Sequence, residues 1–366
     1  MEIILNNKFK IILIILLVFT ILYLKNTEHF SSSKKYKRCN EKKVNGILKN
    51  IFVDNNILKT YDNNWDLYIP CGYNLVEREL MNVTPQNSNQ LIFGISGCDK
   101  IVSKNGIWHL LEQKFGRKNA SIIMPETFIL NKPEDIKILR KKFNNNTYIL
   151  KKNIQRKKGL KITNNFDEIL KAHQYGFKVA QLFKKNTFMI DNTKMNLRVY
   201  VLIICQYGNV KLYIHKLGKC LYASKKYKNN MDFDANITDS YKMDNNVYQN
   251  KPESFEELRS YLDKHKFNSN LLFKRIDLLV QKIGLASENN LCQLEKLKNN
   301  KTFQLFGVDF IFDNNMFPTL LELNKGPDMI AKNNKDSNMK KIIEMDMLQK
   351  VGLIEVKKIG YKNNFY

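Results

Sequence analysis

The 366-residue sequence predicts a mixed α+β (α/β) body preceded by an N-terminal transmembrane helix. Three observations lead to this prediction. A continuous apolar run lies near the N-terminus, and β-branched or aromatic runs are bounded by turn residues further on. Between those runs lie segments whose apolar residues recur with helical spacing. With 43% hydrophobic residues, the chain can bury a sizeable core, and its length indicates about two domains.

The transmembrane prediction rests on residues 9–24, which carry no charge after Lys10. Sixteen helical residues span about 24 Å, somewhat less than a hydrocarbon core of about 30 Å. Flanking lysines such as Lys8 and Lys25 can extend to the headgroups and close the gap. No small-residue cleavage site follows, so residues 1–30 are interpreted as an uncleaved anchor rather than a signal peptide.

The flanking charges predict the orientation of this anchor. Residues 31–44, interpreted as a flexible basic linker, carry more lysines than the segment before the anchor, which places the body in the cytosol. The six cysteines show neither C-x-x-C nor zinc spacing, and we interpret them as free thiols of a reducing compartment. The lysine- and asparagine-rich usage is typical of an AT-rich genome, such as that of a large DNA virus or a protist. The predicted localisation is therefore a single-pass protein of a viral or host membrane.

The folded body is predicted to alternate strands and helices. In the first half, Pro133 and two carboxylates favour a helix start, because proline suits the first turn and negative charge suits the positive helix end. The predicted elements there are strands at 91–97, 124–130, 147–151 and 179–183 and helices at 104–115, 133–143 and 167–175. In the second half they are strands at 197–205, 211–218, 303–312 and 316–324 and helices at 252–266 and 271–285, with a polar loop at 228–250.

The last predicted hairpin carries a candidate metal site. Glu322 and Asn324 lie two residues apart and share one strand face. With the turn centred near Asn315, Asp309 lies opposite Glu322. Carboxylate and amide oxygens without sulfur or imidazole suit Mg²⁺ bound together with substrate phosphates. A solvated hairpin with unrelated polar residues is the alternative.

Two basic constellations are candidate phosphate sites. Lys151 ends a predicted strand, and a basic loop containing Lys158 and Gly159 follows, whose backbone N–H groups could surround phosphates. A charged surface hairpin is equally compatible with that pattern. Lys194 and Arg198 share one face of a strand that enters the core, where unpaired charge is costly. They bind an anion or form structural salt bridges.

Taken in order, the segments MPETFIL, YILKK…RKKGLKI, VAQLF, KMNLRVYVLI, KLYIHKLG…YASKKY and LFGVDFIFD…LLELNKGP resemble the tubulin–tyrosine ligase-like family of ATP-grasp ligases. The resemblance covers roughly residues 90–330. It implies an ATP-grasp fold in which two β-sheets sandwich ATP. It also implies an N-terminal α/β domain (45–120), a central ATP-grasp subdomain (121–193), a C-terminal one (194–350) and a tail (351–366).

The resemblance also implies residue roles. Lys151 would bind the α- and β-phosphates, and Lys158 and Gly159 would cover them. Gln181 would lie at the adenine edge with the backbone of Leu182 and Phe183. The remaining matches are the cations Lys194 and Arg198 near the reacting phosphate, Asn196 between them, and the metal ligands Asp309, Glu322 and Asn324.

The implied activity is ATP-dependent joining of an amino acid (glutamate, glycine or tyrosine) to a protein carboxylate through an acyl phosphate, with ATP and Mg²⁺ as cofactors. An acidic acceptor such as a tubulin tail suits the net charge of +25. The chain departs from the family at two positions: Asn196 replaces an aspartate, and Leu221 replaces a carboxylate-binding arginine. Lys219 or Lys225 would have to take over the role of that arginine. A catalytically weakened binding module for acidic tails or membrane is therefore the alternative. A nucleic-acid partner is not favoured, because the basic residues are dispersed and no known motif accompanies them.

Overall fold

The computed structural model describes residues 33–39, 43–154, 159–228, 231–238, 245–356 and 363–366. The predicted anchor at 9–24 and the predicted loop residue Lys158 lie outside these ranges. Within them, no helix combines the length and the apolar character needed to cross a membrane.

The described residues form a mixed α/β body, which confirms the predicted fold class. The strands are β1 (Lys35–Arg38), β2 (Leu58–Lys59), β3 (Leu67–Ile69), β4 (Leu91–Phe93), β5 (Thr127–Ile129), β6 (Tyr148–Lys151), β7 (Leu160–Thr163), β8 (Val179–Leu182), β9 (Met189–Ile190), β10 (Thr193–Gln206), β11 (Asn209–Tyr222), β12 (Thr302–Phe312) and β13 (Pro318–Asn324). The helices are α1 (Gly46–Asp54), α2 (Val76–Leu80), α3 (Cys98–Val102), α4 (Lys104–Ile123), α5 (Pro133–Lys142), α6 (Phe166–Lys171), α7 (Phe233–Asn236), α8 (Phe255–Lys264), α9 (Ser269–Ser287) and α10 (Asn334–Val351).

The larger sheet has the strand order β11-β10-β12-β4-β3-β1-β2, with β13 also paired to β12 and β9 to β10. Strands β10 to β13 pair antiparallel, whereas β1, β3 and β4 run parallel to their neighbours. Alternate residues of β10 enter two different cores. Leu197 and Val199 pack with α8 and α9, and Leu202 and Ile204 pack with α1 and α10. Both faces are buried, which explains the uninterrupted apolar run of this strand.

The smaller sheet is antiparallel, in the order β5-β8-β6-β7. Its core contains Phe128, Tyr148 and Leu150 against Leu139 of α5 and Ile169 of α6. These side chains fix the position of the strand that ends in Lys151. The domain boundaries expected from the resemblance stay predictions.

Two expectations about the N-terminal part and the cysteines were wrong. Lys35–Arg38 of the predicted flexible linker forms β1, whose backbone pairs with β2 and β3. Four of the six predicted free thiols are disulfide-bonded, as Cys39–Cys71 and Cys205–Cys292, while Cys98 and Cys220 are free and buried. The paired cysteines are 32 and 87 positions apart in sequence, so only the tertiary fold brings them together.

Candidate active site

A cavity of about 250 Å³ lies between the two sheets. Ile149 and Leu160 of the smaller sheet form one wall, and Ile311 and Leu321 of the larger sheet form another. The charged and amide side chains that line it include Lys104, Lys151, Gln181, Lys194, Asn196, Arg198, Asp309, Glu322 and Asn324. The structure thus brings together most of the sequence-predicted site residues.

The predicted hairpin geometry is confirmed, because Asp309 pairs with Glu322 across β12 and β13. Asn324 lies two residues further on the same strand face. Its Nδ2 is 3.5 Å from Asp309 Oδ2 and 3.4 Å from Glu322 Oε1. Three oxygen-bearing side chains therefore converge on one face of the hairpin.

Both carboxylates face cations. Arg198 binds Asp309 with two hydrogen bonds, Nε to Oδ1 at 2.5 Å and Nη2 to Oδ2 at 3.0 Å. Burial lowers the pKa of the Arg198 guanidinium, but the nearby Asp309 carboxylate has the larger effect, so the pKa is raised overall. Glu322 Oε2 accepts from Lys104 Nζ at 2.7 Å. Burial would raise the pKa of Glu322, but Lys104 and Lys151 outweigh it and lower this pKa to about 2.

Lys104 belongs to the cavity but was missed in the sequence analysis. It is the first residue of α4, after the N-cap Ser103, whose side chain accepts from the Gly106 N–H. A cation at the positive end of a helix is unfavourable, so a lysine there was the available signal that an anion lies opposite.

Burial disfavours the charged form of two lysines that line the cavity. Lys151 is 5% exposed, and its Nζ donates to the Leu321 carbonyl at 3.4 Å. Lys194 Nζ donates to Asn236 Oδ1 at 2.9 Å and lies 4.4 Å and 4.1 Å from the ring centroids of Phe183 and Tyr227. Burial lowers the pKa of each ammonium to about 8. An anionic ligand would raise both pKa values back toward the ordinary value of a lysine.

The expected adenine edge is built from β8 and the residue after it. The Gln181 side chain is 1% exposed, and its Nε2 donates to Thr127 Oγ1 at 2.9 Å. The N–H groups of Leu182 and Phe183 donate to Glu126 O at 2.8 Å and Thr147 O at 2.9 Å. These two N–H groups are therefore already bound to carbonyl oxygens of the protein.

The departures from the family lie side by side. Asn196 pairs with Leu221 across β10 and β11, and both line the cavity. Asn196 is 4% exposed, and its Oδ1 has no hydrogen-bond partner among the described residues. A buried amide oxygen without a partner is typical of a position that a ligand completes.

Neither lysine that was expected to substitute for the missing arginine lines this cavity. Lys219 Nζ forms buried ion pairs with Glu253 at 3.0 Å and Asp336 at 2.8 Å. Lys225 is exposed and pairs with Asp232 at 3.3 Å. Gly159 lies at the end of the expected phosphate loop, where its carbonyl accepts from the Lys152 N–H at 2.8 Å.

The donor set fits magnesium and a nucleoside triphosphate. Five cationic side chains and three carboxylates line the cavity, which leaves two net positive charges. A magnesium-bound triphosphate carries a net charge of about −2, so the two balance. Asp309, Glu322 and Asn324 offer only oxygen ligands, as Mg²⁺ prefers.

Comparison with known proteins agrees with this architecture. The model of the tubulin-tyrosine ligase family matches residues 82–359. This chain belongs to that family. Mouse tubulin monoglutamylase TTLL4 is 26% identical over 70% of this chain and 23% of its own length. Human tubulin polyglutamylase TTLL6 is 23% identical over 80% of this chain and 34% of its own length. A probable tubulin polyglutamylase of Caenorhabditis elegans, ttll-9, is 25% identical over 50% of this chain and 45% of its own length. The matched part thus spans less than half of each of these relatives.

Proposed function

We propose that this family member is an ATP-dependent carboxylate–amine ligase that adds an amino acid to a side-chain carboxylate of an acidic protein. The observation that carries the proposal is the cavity between two sheets, which Lys151, Lys194 and Arg198 line together with the carboxylates of Asp309 and Glu322. The relatives' names favour glutamate as the amino acid and a tubulin tail as the acceptor.

The proposed reaction has two steps. An acceptor carboxylate oxygen attacks the γ-phosphorus of ATP, the bond to the leaving oxygen of ADP breaks, and an acyl phosphate forms. The amine of the incoming amino acid then attacks the acyl carbon, loses a proton and expels phosphate, which leaves an amide bond. Neither step needs a covalent enzyme nucleophile, so positioning and charge neutralisation supply the catalysis.

Each side chain has a role in that scheme. Lys151 would bind the nucleotide phosphates, and Lys194 and Arg198 would stabilise charge on the transferred phosphoryl group. Asp309 orients the Arg198 guanidinium through its two hydrogen bonds. Asp309, Glu322 and Asn324 would hold Mg²⁺, which neutralises charge on the phosphate oxygens when bound.

The test uses the full purified chain in detergent. Amide formation and ADP release are measured with labelled glutamate and a panel of acidic peptides. The proposal expects ADP release that depends on both the amino acid and the peptide. The absence of any such dependence, in a protein that binds ATP, would refute the ligase activity.

Leu221 favours a second candidate function. It is 5% exposed and stands where the family has a carboxylate-binding arginine. An apolar side chain cannot bind a carboxylate, so the chain could bind ATP and acidic tails without joining them. The outcome of Leu221→Arg distinguishes the two functions, as described in the Discussion.

We also propose that residues 9–24 anchor the chain in a membrane with its body on the cytosolic side. Their uninterrupted apolar character and the basic residues that follow support this. The two disulfides are not typical of a reducing compartment, so the cysteines do not support the cytosolic orientation. That orientation rests on the flanking charges alone. Protease protection of the body in sealed vesicles would refute the orientation, and release of the full chain by carbonate extraction would refute the anchor.

A further inference from the structure

A second and larger cavity, of about 850 Å³, lies beside the candidate active site. It is formed at the carboxyl ends of the parallel strands β1, β3 and β4, around Arg38, Pro70 and Phe93. Most of its lining residues, from Arg38 to Glu79, precede residue 82, where the match to the family model begins.

One loop separates the two cavities. Gly326, Pro327 and Asp328 line both of them. A Cβ placed on Gly307 would lie 2.9 Å from Arg198 Cδ and 3.1 Å from Pro327 Cβ, so Arg198 and Pro327 pack against the same glycine. A ligand that passes over this loop from the second cavity would reach the reacting end of the first.

The second cavity contains a cation without a counter-ion. Arg38 makes no ion pair among the described residues, and its buried Nε has no hydrogen-bond acceptor there. Its Nη2 is 3.5 Å from the Cys71 carbonyl, which is a weak contact. Glu79 and Asp328 also line the cavity, but both carboxylates already have partners: Glu79 accepts from Tyr68 Oη at 2.8 Å and from the Cys71 N–H at 2.9 Å, and Asp328 forms an ion pair with Lys332 at 3.3 Å. A half-buried guanidinium in this state would gain from a carboxylate ligand.

Two neighbours define the rest of this cavity. Arg78 of α2 is exposed at its edge and also makes no ion pair among the residues that the structure describes. The Cys39–Cys71 disulfide joins the residue after Arg38 to the segment that follows β3. This link holds the arginine at the cavity wall.

We propose that this cavity binds an acidic segment of the acceptor protein, with Arg38 and Arg78 contacting its carboxylates. The proposal rests on the ligase function and identifies where this chain recognises its acceptor in spite of Leu221. The volume is in the range of cavities that bind drug-sized ligands, which suits several peptide residues better than one free amino acid. The planar guanidinium supplies the two-pronged contact to a carboxylate that a lysine cannot.

The test measures binding of a fluorescein-labelled oligoglutamate peptide to the full chain by anisotropy, in the presence of Mg²⁺ and a non-hydrolysable ATP analogue. Arg38→Gln and Arg78→Gln are compared with Arg140→Gln, which removes the same charge from an exposed position on α5. Because Arg78 is exposed, its variant remains informative even if Arg38→Gln impairs folding. Labelled oligoglutamine reports binding that does not need charge.

We expect each cavity variant to weaken oligoglutamate binding about ten-fold and the control variant to leave it unchanged. The affinity for the ATP analogue, measured by calorimetry, should stay the same in all variants. Equal oligoglutamate affinity in wild type, Arg38→Gln and Arg78→Gln would overturn the proposal. So would a wild-type protein that binds the ATP analogue but not oligoglutamate, whereas loss of ATP-analogue binding in the wild type would instead contradict the proposed function.

Discussion

Glu322→Gln is the substitution that tests the candidate metal site most directly. Its partner Asp309 is less suitable, because removing that carboxylate would leave the buried Arg198 without its two hydrogen bonds. Glu322 is more accessible, with 30% of its side chain exposed. The glutamine keeps the size of the side chain and removes only its charge.

The size of the effect follows from the contacts of Glu322. In the structure it accepts one charge-assisted hydrogen bond, from Lys104 at 2.7 Å. A hydrogen bond to a charged group contributes about 1.5–3 kcal/mol, and a carboxylate that binds Mg²⁺ should contribute at least as much. The affinity for magnesium–ATP should therefore fall by roughly 10- to 150-fold. Binding of ATP without magnesium should persist or become tighter, because the variant frees Lys104 and adds one net positive charge to the cavity.

The assay is calorimetric titration of the full chain with ATP, with and without Mg²⁺. Glu288→Gln is the control, since Glu288 forms only an exposed ion pair with Lys114 at 3.5 Å and lies outside the cavity. The decisive quantity is the ratio of the two ATP affinities for each variant. If Glu322→Gln retains the wild-type dependence on magnesium, Glu322 is not a metal ligand and the hairpin site is wrong.

Three further predictions concern the rest of the cavity. Leu221→Arg should increase amide formation with an acidic peptide, measured as labelled glutamate incorporated; intact ATP binding without such a gain would instead favour the binding module. Because burial lowers the pKa of Lys151 and Lys194 to about 8, both are charged below that pH and lose charge above it. ATP affinity should fall as the pH rises through about 8, with proton uptake on binding visible in buffers of different ionisation enthalpy; affinity independent of pH from about 7 to 9 would contradict this. Gly307→Ala places a methyl group 2.9 Å from Arg198 Cδ and should lower kcat more than it raises the Kd of ATP, as steady-state kinetics and calorimetry would show; an equal effect on both would mean that the arginine serves binding alone.

The part of the site that the sequence predicted correctly depends on local geometry. Strand periodicity and the position of one turn sufficed to place Asp309 opposite Glu322, and the structure has this pairing. The same reasoning placed Lys194 and Arg198 on one face of β10, and both line the cavity. Such inferences need only a few neighbouring residues, which is why they succeed without tertiary information.

The features that were missed depend on contacts distant in sequence. Lys104 meets Glu322 across 218 positions, and only its unusual place at a helix start hinted at a buried partner. Part of the predicted linker forms a strand because β1 pairs in parallel with β3. The polar composition of this segment did not indicate a strand. The Cys205–Cys292 pair likewise depends on where the end of β10 meets the segment that follows α9 in the folded chain.

The ion pairs of Lys219 explain why this lysine does not take the place of the missing arginine. Lys219 lies directly opposite Arg198 on β11, so its backbone position suits a role at the reacting phosphate. Its ammonium, however, is bound by Glu253 and Asp336 in the buried interior, and Asp336 is also bound by Lys340 at 2.8 Å. Turning Lys219 toward the cavity would leave two buried carboxylates short of charge, which costs several kcal/mol. Arg38 has no ion-pair partner among the described residues. It can therefore bind an acceptor carboxylate without leaving another buried carboxylate unpaired.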